Sequence, residues 1–251
     1  MEREQPVAGG AAGPGENFED FAWLFRCDSR NRGIIAQGFD EAALLWRAAR
    51  ATGGNILEIG RKRAGSTVLL AAAAPGRTIL SLDLRLRPHA RCKDYFDRPD
   101  NRDRVQLLIA NSRESLPDVT FGLLFVDGDH SFEGVLADVI AHWNSLRDAD
   151  GKAGLAAFHD ALPNDNYEWR DSDRRFNRFW IRLKNRLRSE QKSDVSPDYS
   201  AGVSRVCQTL LEEGVAERWG KASSMLVLKK MADLPANFRE RCEEAFAARD
   251  S

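Results

Sequence analysis

The chain has 251 residues, and its 37 basic and 38 acidic side chains leave a formal net charge of −1, which argues against a generic nucleic-acid binder. With 43% hydrophobic and 30% charged residues it can bury a core, which excludes global disorder, and its longest apolar run, Val68 to Pro75, is too short to span a bilayer. Cys27, Cys92, Cys207 and Cys242 lie far apart with no C-x-x-C pair, which points to thiols in a reducing cytoplasm rather than a disulfide framework or zinc site.

Residues 1–16 read as a flexible tail, because their Gly, Ala, Pro and Glu cannot bury enough surface to offset ordering; they also lack the apolar stretch of a secretory signal. Residues 17–251 read as one domain. A helical pattern covers Phe18 to Arg50 and stops at Gly53-Gly54. Strands are predicted at Asn55–Ile59, Thr78–Asp83, Val105–Ile109, Phe121–Val126 and Gly154–Phe158. A helix from Ser66 to Ala74 follows the first strand. An amphipathic one from Phe132 to Leu146 follows the fourth. Strands this apolar are buried on both faces, so the alternation predicts an α/β fold: a Rossmann-like, doubly wound, mostly parallel sheet. Residues 161–200 break the rhythm and read as a lid or acceptor-pocket insertion, with Tyr167, Trp169 and a basic helix from Arg174 to Arg188. That helix fits a solvated face first, with an anionic substrate, an oligomer contact or RNA as functional alternatives. A helix from Val203 to Leu211 comes next. Strands at Val215–Trp219 and Ser224–Lys229, joined by a Gly-Lys turn, give a terminal antiparallel hairpin and seven strands in all. A last helix runs from Pro235 to Arg249.

In an open parallel sheet, ligands bind past the carboxyl ends of the strands. Here those ends are Glu58-Ile-Gly60, Asp83, Asn111-Ser112, Asp127-Gly-Asp-His130 and His159-Asp160. Gly60-Arg-Lys-Arg-Ala-Gly65-Ser66 is neither a phosphate loop, which needs Gly-Lys-[Ser/Thr], nor G-x-G-x-x-G, because Lys62 stands at the middle glycine. Glu58 would repel a pyrophosphate and suits a cationic amino group. Asp83 suits ribose hydroxyls. The pair fits an adenosine attached to an amino acid.

The segments Leu57-Glu-Ile-Gly60 with Ser66-Thr67, Leu82-Asp83, Asn111-Ser112, Phe125-Val-Asp-Gly-Asp-His-Ser-Phe-Glu-Gly134 and Gly154-Leu-Ala-Ala-Phe-His-Asp160 together resemble the class I S-adenosylmethionine-dependent methyltransferases. The branch they are most similar to holds metal-dependent O-methyltransferases of small molecules. The resemblance covers roughly residues 39–230. It implies that Glu58, Gly60 and Ser66 hold the methionine end of S-adenosylmethionine, that Asp83 binds its ribose and that Asn111 and Ser112 meet its adenine. Asp127, which also borders the cofactor, His159 and Asp160 would hold a divalent metal, magnesium or manganese; an imidazole ligand shifts preference away from pure magnesium. Ala64, at a position usually glycine in that family, would set the loop slightly back.

Methyl transfer from a sulfonium is an in-line displacement that needs alignment and loss of the acceptor's proton. Asp129, His130 and His159 are the candidate catalytic groups, with His130 equally readable as a structural hydrogen bond at the helix start. His89 and His142 read as packing histidines. The expected reaction is O-methylation of a small hydroxylated acceptor, such as a sugar or secondary metabolite, with no membrane partner. The alternatives are an RNA or N-methyltransferase on the same fold, or a cofactor-binding module without turnover.

Overall fold

A computed structural model describes residues 17–25, 33–147, 154–162 and 199–247. Tyr167, Trp169, the basic helix 174–188 and Cys27 lie outside the described residues. Seven strands form one sheet: β1 (Asn55–Ile59), β2 (Ile79–Asp83), β3 (Val105–Ile109), β4 (Phe121–Val126), β5 (Leu155–Phe158), β6 (Ala216–Ala222) and β7 (Met225–Lys230). The order across it is β3-β2-β1-β4-β5-β7-β6. The pairs among β1 to β5 are parallel, and β7 is antiparallel to both β5 and β6. The chain therefore winds outward from β1 in one direction and from β4 in the other. The order reverses between β1 and β4, which opens a crevice at their carboxyl ends.

Helices cover both faces. On one lie a 3-10 helix (Phe18–Leu24), α1 (Phe39–Ala51), α2 (Gly65–Ala73) and α3 (Ala90–Phe96), packed on Ile56, Leu123 and Phe125. On the other lie α5 (Phe132–His142), α6 (Tyr199–Glu212) and α7 (Phe238–Ala247), packed on Leu57, Ile59 and Leu124. A short α4 (Pro99–Arg102) precedes β3. The period-two side-chain alternation of β1 sends Leu57 and Ile59 to one core and Ile56 to the other. Every residue of β4 is buried, as a central parallel strand requires, whereas the edge strands β3 and β6 are partly exposed. Burying a leucine such as Leu44 or Leu45 of α1 contributes about 1.5–3 kcal/mol.

Several element ends shift by one to four residues from the sequence reading, and four departures go further. The helical pattern of 18–50 is two elements: the 3-10 turn ends at Leu24, and residues 33–38 approach α1 without helix. Gly65 makes room for that approach, since a Cβ there would lie 2.6 Å from the Ile35 nitrogen. The amphipathic helix after β4 gives way at His142 to a 3-10 turn (Trp143–Ser145). The hairpin turns at Ser223-Ser224, with Ser223 at φ 47°, and not at Gly220-Lys221. Gly220 instead follows a register shift in β6 and lies against the Leu44 side chain. Finally, α3 and α4 fill a stretch read only as connection, where the His89 imidazole accepts the Arg91 N–H and caps α3. Among the described residues, no helix is long and apolar enough to cross a membrane. Cys92, Cys207 and Cys242 are free and buried.

Candidate functional site

An open cleft of about 1880 Å³ lies over the β1/β4 crevice and reaches the ends of β2, β3 and β5. Its floor depends on Gly60. That residue has φ 85°, and a Cβ there would sit 2.2 Å from the Asp127 carbonyl oxygen. The backbone ladder continues past the strands, with Asp127 N–H donating to Ile59 and His159 N–H to Val126. These bonds carry the ends of β1, β4 and β5 into one rim.

At the β4/β5 end, three side chains close on Asp127. His159 Nδ1 lies 2.9 Å and His130 Nε2 3.2 Å from Asp127 Oδ1. Gln37 Nε2 donates to Asp127 Oδ2 at 2.7 Å. The opposite nitrogen of each imidazole faces another carboxylate: His130 Nδ1 is 3.1 Å from Asp160 Oδ2, and His159 Nε2 is 3.4 Å from Glu41 Oε2. Glu41 is itself held by the backbone N–H and hydroxyl of Ser224 and by the Gly38 N–H. The Ser224 hydroxyl also reaches Asp160 Oδ1 at 3.1 Å. Asp160 takes φ 54°, a left-handed conformation that turns the chain directly after β5.

Burial disfavours charge on each of these groups, but the mutual hydrogen bonds and charges outweigh it. Contacts with His130 and His159 hold the Asp127 pKa down at about 2. Hydrogen bonds to Asp127 and Asp160 raise His130 to about 9, and those to Asp127 and Glu41 raise His159 to about 11. Glu41 and Asp160 are lowered in turn. Both imidazoles are thus protonated at neutral pH without a ligand, and in that state neither accepts a proton. As donors, single atoms of Asp127, His130 and His159 lie within 4.8 Å of one another. A carboxylate and two imidazoles suit a divalent transition ion. Each histidine has a carboxylate behind it, the arrangement that orients metal-binding imidazoles. Asp160, expected as a ligand, lies against His130 and Ser224 and outside that donor set.

Glu58 also differs from its expected position. It is fully buried on the α2 side of β1 and does not line the cleft. Ser66, Thr67 and Ser81 all donate hydroxyl hydrogen bonds to it. Burial raises its pKa, those three hydroxyls oppose the rise, and the Asp127 charge adds to it. Glu58 and Ser66 thus brace α2 under the β1 turn, and neither lines the cleft. Asp83 does line the cleft, but its Oδ2 accepts the Arg61 and Lys62 N–H groups and its Oδ1 the Arg85 N–H. A carboxylate has about four acceptor sites, so roughly one remains for a ligand hydroxyl. Asn111 and Ser112 line the cleft beyond β3, where His142 Nε2 donates to the Ser112 carbonyl at 2.7 Å. Asp129 lines it as well, pairing with Arg113 at 3.2 Å and accepting the Ser131 N–H at the start of α5. Ala64 adopts φ 66° and is completely buried, so alanine takes up the left-handed turn usually given to glycine.

Glu41 and Gln37 are absent from the sequence-based site because they precede β1, away from any strand end. The only local signal is Gly38-x-x-Glu41, a helix start in which Glu41 reaches back to the Gly38 N–H. Gln37 is 4% exposed, and its Oε1 has no hydrogen-bond partner among the described residues.

Residues 57–161 match the family model of a methyltransferase domain. No curated protein matches the sequence. Among solved structures, the chain is similar to a methyltransferase from Podospora anserina bound to SAH, at 14% identity and TM-score 0.54, over 88% of this chain and 89% of that one. It is also similar to the O-methyltransferase TomG from Streptomyces achromogenes, involved in tomaymycin synthesis and solved with SAM, at 12% identity and TM-score 0.52, over 84% and 93%. A cofactor-bound protein from MTB, Rv0187, aligns at 17% identity and TM-score 0.51, over 79% and 83%.

Proposed function

We propose that the protein is a class I S-adenosylmethionine-dependent methyltransferase, built on the methyltransferase domain matched at residues 57–161, and that it methylates a hydroxyl of a small acceptor with the aid of a divalent ion. The observation that carries this reading is the pair of imidazoles, each turned toward Asp127 by one nitrogen and toward a second carboxylate by the other. Asp127, His130 and His159 would hold the ion, and Asp160 and Glu41 would orient the two rings by accepting their remaining N–H protons. When bound, the ion lowers the pKa of the acceptor hydroxyl and fixes the oxygen in place.

The chain's own residues supply the rest. The Gly60 turn leaves the space beside Asp127 that S-adenosylmethionine needs. Asp83 offers its remaining acceptor site to a ribose hydroxyl, and Asn111 and Ser112 border the adenine end. Gln37 holds Asp127 with its Nε2 and presents Oε1 to the cofactor's ammonium group. Placing cofactor and acceptor in line supplies most of the catalysis such a displacement needs.

Titration calorimetry tests the reading. S-adenosylhomocysteine should bind one site, and NAD and ATP should not displace it. Mn(II) should bind wild type. Glu41→Gln should retain the site at roughly 10–100-fold lower affinity, the loss typical when a group orienting a ligand is altered. Failure of S-adenosylhomocysteine to bind would refute the cofactor assignment. Mn(II) affinity untouched by His159→Ala would refute the ion assignment.

A further inference from the structure

The cleft has a second electrostatic pole, away from Asp127. Lys62 and Arg63 on the β1–α2 turn, and Arg85 and Arg87 on the segment after β2, are exposed and line it. None of the four forms an ion pair among the described residues. Several cations elsewhere are paired, as in Arg113–Asp129, Lys229–Glu217, Lys230–Asp233 and Arg241–Glu213, whereas these four unpaired ones share a single cleft.

The fold holds this pole together. Asp83 accepts N–H groups from both turns, at Arg61, Lys62 and Arg85, and the Arg63 carbonyl accepts the His89 N–H at 2.9 Å. The carboxylate between the turns is thus committed to backbone and largely unavailable to the side-chain charges. Lys62 has φ 49°, a left-handed conformation in which glycine is unstrained and lysine is not. Massing like charges on a strained turn costs stability and returns no internal contact. A cleft lined by one sign of charge draws in ligands of the opposite sign.

S-adenosylmethionine brings a single carboxylate, and its other charges are positive, so it can neutralise at most one of the four cations. Two exposed apolar side chains, Phe39 and Leu84, line the same cleft, at 60% and 73% exposure. The remaining charge and this apolar surface together fit an organic diphosphate: two anionic phosphoryl groups matched by arginine forks, joined to a less polar body. Building on the methyltransferase reading, we infer that Lys62, Arg63, Arg85 and Arg87 receive a diphosphate group carried by the methyl acceptor. The hydroxyl to be methylated would then lie at the Asp127 end and the diphosphate at the exposed turns after β1 and β2, outside the Gly60–Asp83 crevice left to the cofactor.

The test uses the full chain, saturated with S-adenosylhomocysteine in metal-free buffer and titrated calorimetrically with uridine diphosphate and with inorganic pyrophosphate. Uridine diphosphate should bind more tightly than pyrophosphate, and its affinity should fall as salt rises. Arg85→Gln/Arg87→Gln should weaken it by at least ~10-fold, about the effect of one lost charged hydrogen bond, and Lys62→Gln should weaken it in the same direction. Both variants should keep S-adenosylhomocysteine affinity within ~2-fold, which also shows that they are folded. Absence of uridine diphosphate binding, or binding indifferent to these substitutions, overturns the inference. Tighter binding of pyrophosphate than of uridine diphosphate also overturns it, in favour of a free anion. If S-adenosylhomocysteine binds and uridine diphosphate does not, only this inference falls; if neither binds, the methyltransferase reading falls with it.

Discussion

Gly60→Ala isolates the close approach on which the site rests. Two costs arise together. Gly60 sits at φ 85°, where an alanine loses about 1–2 kcal/mol. The added Cβ would also lie 2.2 Å from the Asp127 carbonyl oxygen, a backbone atom that cannot swing aside, and such overpacking costs roughly 1–3 kcal/mol. The sum, about 2–5 kcal/mol, corresponds to a fall in Tm of ~4–20 °C for a domain of this size. Gly76→Ala is the control, because Gly76 has φ 73° but a Cβ there would meet nothing within 4 Å. It should show the conformational cost alone, about 1–2 kcal/mol. Urea unfolding compares the two variants directly, and calorimetry reports the site. Gly60→Ala should also weaken S-adenosylhomocysteine and Mn(II) binding, because relief of the clash moves Asp127; Gly76→Ala should leave both intact. If Gly60→Ala is no more destabilising than Gly76→Ala, or leaves both affinities unchanged, the crevice argument is wrong.

Asp138, buried on α5, has its pKa raised to about 6 from 3.8 by burial, against the lowering contributions of Ser112 and Arg113. Its folded form therefore binds the proton more tightly than its unfolded form. The associated stability is fully present below about pH 4 and is lost as pH rises through about 6, a loss of about 3 kcal/mol. Asp138→Asn should accordingly be more stable than wild type at pH 8 by up to that amount, and the gap should close toward pH 4 in urea titrations at several pH values. Gln37→Leu should lower S-adenosylhomocysteine affinity by ~5–30-fold, from one lost hydrogen bond and an exposed partner at Asp127, as read by calorimetry. Unchanged affinity would remove Gln37 from the cofactor site.

The sheet was legible because its central strands are apolar runs closed by polar residues: Leu57 and Ile59 ahead of Gly60, and Leu123 to Val126 ahead of Asp127. The same logic located the rim, since doubly wound topology brings those endings together whatever the helices do. Elements without such a pattern escaped. The seven-residue α3 and four-residue α4 are too short and polar to show a helical period. Gly220 read as a turn because glycine marks both turns and bulges, and only the register of β6 against β7 separates them. Within the site, residue type was readable but direction was not. Glu58 carries the charge suited to an ammonium group, yet its position on β1 points it at Ser66, Thr67 and Ser81. Asp160 has ligand chemistry, yet its turn after β5 sets it against His130 and Ser224. Glu41 joins the cluster across 118 residues of chain, through a helix start that carries no mark of His159.

The most direct test of the central claim is anomalous scattering from crystals grown with S-adenosylhomocysteine and Mn(II). A manganese peak should lie among Asp127, His130 and His159 at ~2.0–2.4 Å from their donor atoms, with S-adenosylhomocysteine in the crevice between Gly60 and Asp83. A map with no peak among those three side chains at saturating Mn(II), or with the nucleoside bound elsewhere, would contradict it.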